Sequence, residues 1–138
     1  MEHKTHYSEY NISSFGTLVK LSFVQELDPL SSTQMMTMLM KSIASGLMRK
    51  IGFGTLRIKA FLKCPSGYIK ADITGLKREV STESTMKRGM RRAKLAVNIV
   101  AQGLNEEEAK TILMEAMEKT LAPLNGRFSI IREHVQLH

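Results

Sequence analysis

Residues 86–94 read Met-Lys-Arg-Gly-Met-Arg-Arg-Ala-Lys, five cations in nine positions with no acid among them. A run like this can neutralise phosphates. It offers no nucleophile, no base and no metal ligand. A second cationic group stands upstream, where Arg57, Lys59, Lys63 and Lys70 are interleaved with Phe61 and Tyr68. Single-stranded nucleic acid calls for that mixture: cations meet the backbone, and flat rings stack on bases for about 1–3 kcal/mol each. Small sheet domains that bind RNA use one sheet face in this way. Arg57, Lys59, Phe61, Lys63, Tyr68 and Lys70 are thus expected to form a platform, with Lys87, Arg88, Arg91, Arg92 and Lys94 clamping phosphates.

The same residues support plainer readings. Cations on the outer side of a hairpin are commonly solvated and discourage edge-to-edge aggregation. Phe61 and Tyr68 can form a cross-strand pair or half of a dimer interface. The sheet signature of RNA-recognition domains, a basic residue followed by alternating glycines and aromatics, is absent; Ser66–Ile73 supplies one glycine and one ring.

The chain has 138 residues and a formal charge of +7. Between Lys77 and Lys94 stand seven bases and two acids, so this stretch carries +5 and everything else together +2. Positive charge on that scale favours anionic partners. Apolar residues make up 43% and charged residues 24%, ordinary for a folded domain. Cys64 is the single cysteine, which leaves no intramolecular disulfide. No run of 18 apolar residues occurs and no targeting segment is read, so the expected compartment is the reducing cytoplasm.

Other candidates fall short. His3 and His6 stand three apart and His134 and His138 four apart, but no cysteine or carboxylate cluster joins either pair at ligand spacing, and no metal or cofactor is expected. Cys64 has Lys63 beside it, which can lower a thiol pKa, yet no partner base is evident. The glycines of Ile51–Gly54 lack the lysine and serine of a phosphate loop. Asn98, Gln102 and Lys94 share one side of a strand, and with Asp72 or Thr74 they can line a small-molecule pocket if the strands adjoin. Without a nucleophile–base pair or paired carboxylates no reaction follows from them.

These residues must be held by a fold. Residues 1–14 are polar and aperiodic, a loosely held leader. Residues 15–138 read as a single α+β domain. Val19, Leu21 and Phe23 alternate with Leu18, Lys20 and Ser22, a strand. Ser31 with Gln34 has the form of a capping box, and Met35, Met36, Leu39, Met40, Ile43, Leu47 and Met48 recur at helical spacing, which predicts a helix over about 32–50. Met38 falls off that stripe. Pro65-Ser66-Gly67 joins two alternating runs into a hairpin with Leu56, Ile58, Ala60, Leu62, Ile69, Ala71 and Ile73 on its apolar side. Residues 80–92 show no period and predict a long, solvated loop or bent hairpin end. Leu95, Val97, Ile99 and Ala101 mark another strand. Asn105 with Glu108 makes a second capping box ahead of a stripe from Ala109 to Leu121, and a last strand follows Asn125-Gly126.

Two amphipathic helices and strands with one apolar side each are satisfied by a single, mostly antiparallel sheet of four to five strands with both helices on one face. That is the split β-α-β, ferredoxin-like sandwich. Its other face is left for solvent, a partner chain or a ligand. The sequence therefore points to a non-catalytic domain that engages an anionic partner, RNA or single-stranded DNA first. A second option is an oligomeric or accessory subunit pairing through the open face, and a third is a metabolite-binding or catalytic domain with its pocket near Asn98.

Overall fold

The computed structural model describes residues 12–51, 56–74 and 79–133. The elements are β1 (Ile12–Leu27), α1 (Pro29–Ile51), β2 (Leu56–Cys64), β3 (Gly67–Thr74), β4 (Ser81–Ser84), β5 (Met90–Gln102), α2 (Glu106–Leu121), a 3-10 turn (Ala122–Leu124) and β6 (Gly126–Glu133). The strands form one antiparallel sheet in the order β4-β3-β2-β5-β1-β6. The class is α+β as expected, but the sheet has six strands rather than four to five. The extra strand comes from Ser81–Ser84, a polar, fully exposed segment with no apolar alternation to announce it. It pairs with β3 through backbone bonds, which any side chain permits.

Alternation decides which side of the sheet is buried. Across β3, β2, β5 and β1 the register aligns Ile73, Ile58, Ile99 and Phe15, then Ala71, Ala60, Val97 and Thr17, then Ile69, Leu62, Leu95 and Val19, and all twelve are buried. Helix α1 lies over β2, β3, β4 and β5, α2 lies over β1 and β6, and the helices pack on each other. Gly46 of α1 lets the helices come close, since a Cβ there would stand 2.7 Å from Ile112. Met35, Met36, Leu39, Met40, Ile43 and Leu47 make the buried stripe of α1, and each fully buried side chain of this kind is worth about 1.5–3 kcal/mol. Met38 is 63% exposed, as its place off the stripe requires.

The helix starts match sequence chemistry, one of them three residues earlier than expected. Asp28, not Ser31, opens α1: its Oδ1 accepts the Ser31 N–H at 2.7 Å, and Pro29 occupies the first helical position, where a missing N–H costs nothing. Ser32 instead turns back, its hydroxyl donating to the Asp28 carbonyl at 2.8 Å. The Asn105–Glu108 capping box of α2 is present in both directions, at 2.8 and 3.2 Å. Strand β1 begins at Ile12, inside the segment read from sequence as a loose leader. Residues 1–11 lie outside the described residues, as do His3, His6, His134, His138, Lys77, Arg78 and most of the Ile51–Gly54 glycine stretch.

Residues 80–92 are the main correction. They are not a long loop; the hairpin-end reading is the nearer one, since Ser81–Ser84 pairs back antiparallel on β3. Strand β4 takes Ser81–Ser84, β5 begins at Met90, and the five residues between are pinned. The Thr85 N–H donates to the Tyr68 carbonyl and the Tyr68 N–H to the Thr85 hydroxyl, at 2.9 and 3.0 Å. The Ser66 hydroxyl donates to the Arg88 carbonyl at 2.9 Å. Two glycines permit the close approach. Gly67 has φ of 144° and a Cβ there would meet the Thr85 carbonyl oxygen at 2.8 Å; at Gly89 it would meet the Leu27 carbonyl oxygen at 2.8 Å.

Candidate functional site

The face of the sheet away from the helices carries the charge. Register places its side chains in rows. One row runs Asp72, Lys59, Asn98 and Gly16. The next runs Glu83, Lys70, Phe61, Ala96, Leu18 and Arg132. The third runs Tyr68, Lys63, Lys94, Lys20 and Ser129, so three lysines stand directly abreast on β2, β5 and β1. Beyond it Arg92 and Arg127 flank Ser22. Arg57 lies at the far end of β2, opposite Thr74 and Val100. Strands are about 4.8 Å apart, so the third row spans roughly 19 Å from β3 to β6.

Like charges directly opposite on neighbouring strands destabilise a sheet. Among the described residues, Lys20, Lys63 and Lys94 have no ion-pair partner; the ion pairs there are Lys50–Glu108 at 3.4 Å and Lys110–Glu133 at 2.7 Å, both on the helical side. Nothing in the sheet itself demands the lysine row.

The two rings lie on this face, half-buried, outside the core. Phe61 and Tyr68 are diagonal neighbours with centroids 5.4 Å apart and planes tilted by 31°. Lys70 Nζ stands 5.4 Å from the Tyr68 centroid, a cation–π contact. The Tyr68 hydroxyl donates to Glu83 Oε2 at 3.0 Å, and that bond to a carboxylate raises the phenol's pKa. Phe61 has no such ties.

The basic segment is divided by the strand that contains it. Arg92 and Lys94 join the sheet face. Arg91 points the other way, where its guanidinium donates to the Val24 carbonyl. That carbonyl lies in a bulge of β1, where the pairing jumps from Ser22–Arg92 to Leu27–Met90 and the intervening residues have no ladder partner on β5. Arg91 thus braces a bulge, a role that sequence periodicity gives no sign of. Lys87 and Arg88 lie at the sheet end. Arg88, Arg91 and Arg92 line an open cleft of about 920 Å³, but Glu26 and Asp28 line it too and offset their charge.

Cys64 is buried, with its Sγ 3.4 Å from the Ser66 hydroxyl and from the Gly67 carbonyl oxygen. Asn98 is not beside Asp72, since Lys59 of β2 separates them; it accepts from the Ser14 hydroxyl at 3.4 Å. Lys94 lies two rows from Asn98, and Gln102 is farther along β5, opposite Ile12. Those residues do not converge. No group of three or more His, Cys, Asp or Glu able to hold a metal occurs among the described residues.

Two contributors were missed from sequence, Lys20 and Arg127. The alternation of β1 already put Lys20 on its polar side, but its alignment with Lys94 and Lys63 is a matter of register. Arg127 follows the Asn125-Gly126 turn and gives no local signal.

No protein-family model matches the chain, and no curated protein matches it. Two solved structures resemble it weakly, the Zn(II)-bound YjiA GTPase from E. coli (17% identity, TM-score 0.35) and a Zn(II)-bound triple mutant of that GTPase (17% identity, TM-score 0.37). Each match covers 77% of this chain and 30% of the other, so this chain spans less than a third of their length. Likeness at that level carries no argument about this protein. No described helix is long and apolar enough to cross a membrane.

Proposed function

We propose that this is a non-catalytic binding domain that engages single-stranded nucleic acid, RNA or DNA, through its helix-free sheet face. The observation that carries the reading is the uncompensated row Lys63–Lys94–Lys20 beside the Phe61–Tyr68 ring pair. Cations and rings sit on one surface, and the three lysines have no ion-pair partner among the described residues. Arg57, Lys59 and Lys70 extend the platform, Arg92 and Lys94 meet phosphates on it, and Lys87 and Arg88 continue the charge past the sheet end. Phe61 is the first stacking ring, because Tyr68 is already engaged by Lys70 and Glu83.

The connectivity supports a ferredoxin-like assignment. Strand β5 lies between β1 and β2, which α1 joins, and β1 lies between β5 and β6, which α2 joins. Those are two interleaved split β-α-β units, with β3 and β4 added at one edge.

The test is a fluorescence titration with short oligonucleotides at two salt concentrations. Binding that weakens steeply with salt is the expected result. Weak binding that ignores salt removes the reading.

A second reading is favoured by the edge strand β6. Ile130 and Ile131 are 38% and 47% exposed there, and Ile131 is left over where the pairing shifts between Leu18–Arg132 and Val19–Ile130. Pairing of that edge with another copy would make the protein an oligomeric subunit. Light scattering distinguishes a monomer from a dimer.

A further inference from the structure

We propose that the groove between Lys20, Arg92 and Arg127 binds a phosphate monoester, the terminal phosphate of a single strand lying on the sheet. The strand as its carrier rests on the function proposed above; the groove does not. Ser22 is its centre. Arg92 of β5 and Arg127 of β6 are its two cross-strand neighbours, and Lys20 is the next residue on the same face of β1. With Ser129, Leu21 and Phe128 these residues line a groove of about 480 Å³ whose lining contains no acid. Among the described residues, none of the three cations has an ion-pair partner.

The ligand class follows from charge. A phosphodiester carries one negative charge, whereas a phosphate monoester carries about 1.5 to 2 at neutral pH, with three acceptor oxygens. Three cations and two hydroxyls lining one groove fit the second. The neighbouring cleft at the sheet end makes the contrast: Glu26 and Asp28 line it together with Arg88, Arg91 and Arg92, whereas the groove, which shares Arg92 with that cleft, has no acid in its own lining. Position argues for a strand end. Strand β6 is the last in the sheet, so the row of cations that begins at Lys63 runs out here. Arginine's planar fork suits bidentate contact with the oxygens.

The test has two arms. In the first, inorganic phosphate is titrated into the isotope-labelled protein and the amides of Ser22, Arg92, Arg127 and Ser129 are followed by NMR. In the second, oligonucleotides of one sequence with a terminal phosphate at the 5′ or the 3′ end are compared with the hydroxyl-ended strand. Expected are groove shifts with phosphate and binding about ten- to a hundredfold tighter for a phosphorylated end. That preference should vanish in Arg127→Ala and Lys20→Gln, both exposed and remote from the core. Phe61→Ala should weaken all strands alike. Equal binding of the strands, with groove amides that ignore phosphate, overturns the site and leaves the platform standing. Groove shifts without any oligonucleotide binding overturn the strand and keep the site as one for free phosphate monoesters.

Discussion

Phe61 and Tyr68 look interchangeable in sequence, and the structure makes them unequal. Tyr68 is tied to Glu83 and covered by Lys70, while Phe61 presents an untethered ring on the same face. Phe61→Ala should weaken oligonucleotide binding by about 1–3 kcal/mol, roughly five- to 150-fold, measured by fluorescence titration. Tyr68→Phe keeps the ring and removes the bond to Glu83, so it should leave affinity within about twofold while loosening β4. Gly67 is a residue-scale constraint of another kind. Its positive φ and its contact with Thr85 leave no room for a side chain. Gly67→Ala should cost about 1–3 kcal/mol in urea unfolding. The need for Gly67 was legible as turn chemistry; its partner Thr85, eighteen residues on, was not.

At the scale of elements, the helix caps are local; that of α2 was read as it stands, whereas that of α1 was placed at Ser31 and is made by Asp28. Asn105–Glu108 form a reciprocal pair, and the bond from the Asn105 N–H, followed by the contact with Lys50, holds the Glu108 carboxyl below the usual carboxylate range. The Ser31 N–H does the same for Asp28. Because both folded values are depressed, their contribution is complete above the unfolded carboxylate range and is lost as pH falls below about 4. Asn105→Ala should lower stability by about 1 kcal/mol at neutral pH and by a similar amount in acid, because the bond it removes, from the Glu108 N–H to the Asn105 side-chain oxygen, does not titrate. Denaturant unfolding at pH 7 and pH 3 checks both points. The sheet makes the opposite kind of prediction. Three lysines abreast on adjacent strands repel one another, so Lys94→Gln should stabilise the fold by a few tenths of a kcal/mol at low salt. Salt near 1 M should abolish the gain, since the screening length there is about 3 Å. A thermal melt at the two salt concentrations measures it. Greater stability with weaker nucleic-acid binding would mark the row as kept for binding.

The whole molecule is a cationic face backed by a helix-covered core. Its charge of +7 is not spread evenly, but neither is it confined to residues 77–94 as the linear sequence suggests. Folding moves Arg91 off the helix-free sheet face and brings Lys20, Lys63 and Arg127 to Arg92 and Lys94. If these five each neutralise one phosphate of a hydroxyl-ended single strand, which offers the groove only diesters, log K should fall against log salt with a slope of about −3.5. Affinity then drops about a hundredfold between 50 and 200 mM salt. A slope near zero would show that the face does not meet phosphates.

Sequence alone determined the parts whose cause is local. Period-two alternation marked the buried faces of the hairpin, of β1 and of β5, period 3.6 marked both helices, and the Asn105–Glu108 pair marked the start of α2. From matching apolar faces came an α+β class whose sheet has a cationic side free of helices among the described residues. Beyond the β2–β3 hairpin, tertiary structure alone decided which strands adjoin and in what register, because those choices depend on backbone bonds between segments far apart in the chain, which leave no local trace. Strand β4 is polar on both sides, so its pairing with β3 could not be read. Lys20 and Arg127 are single charges in unrelated segments, and only the order β5-β1-β6 sets them around Ser22.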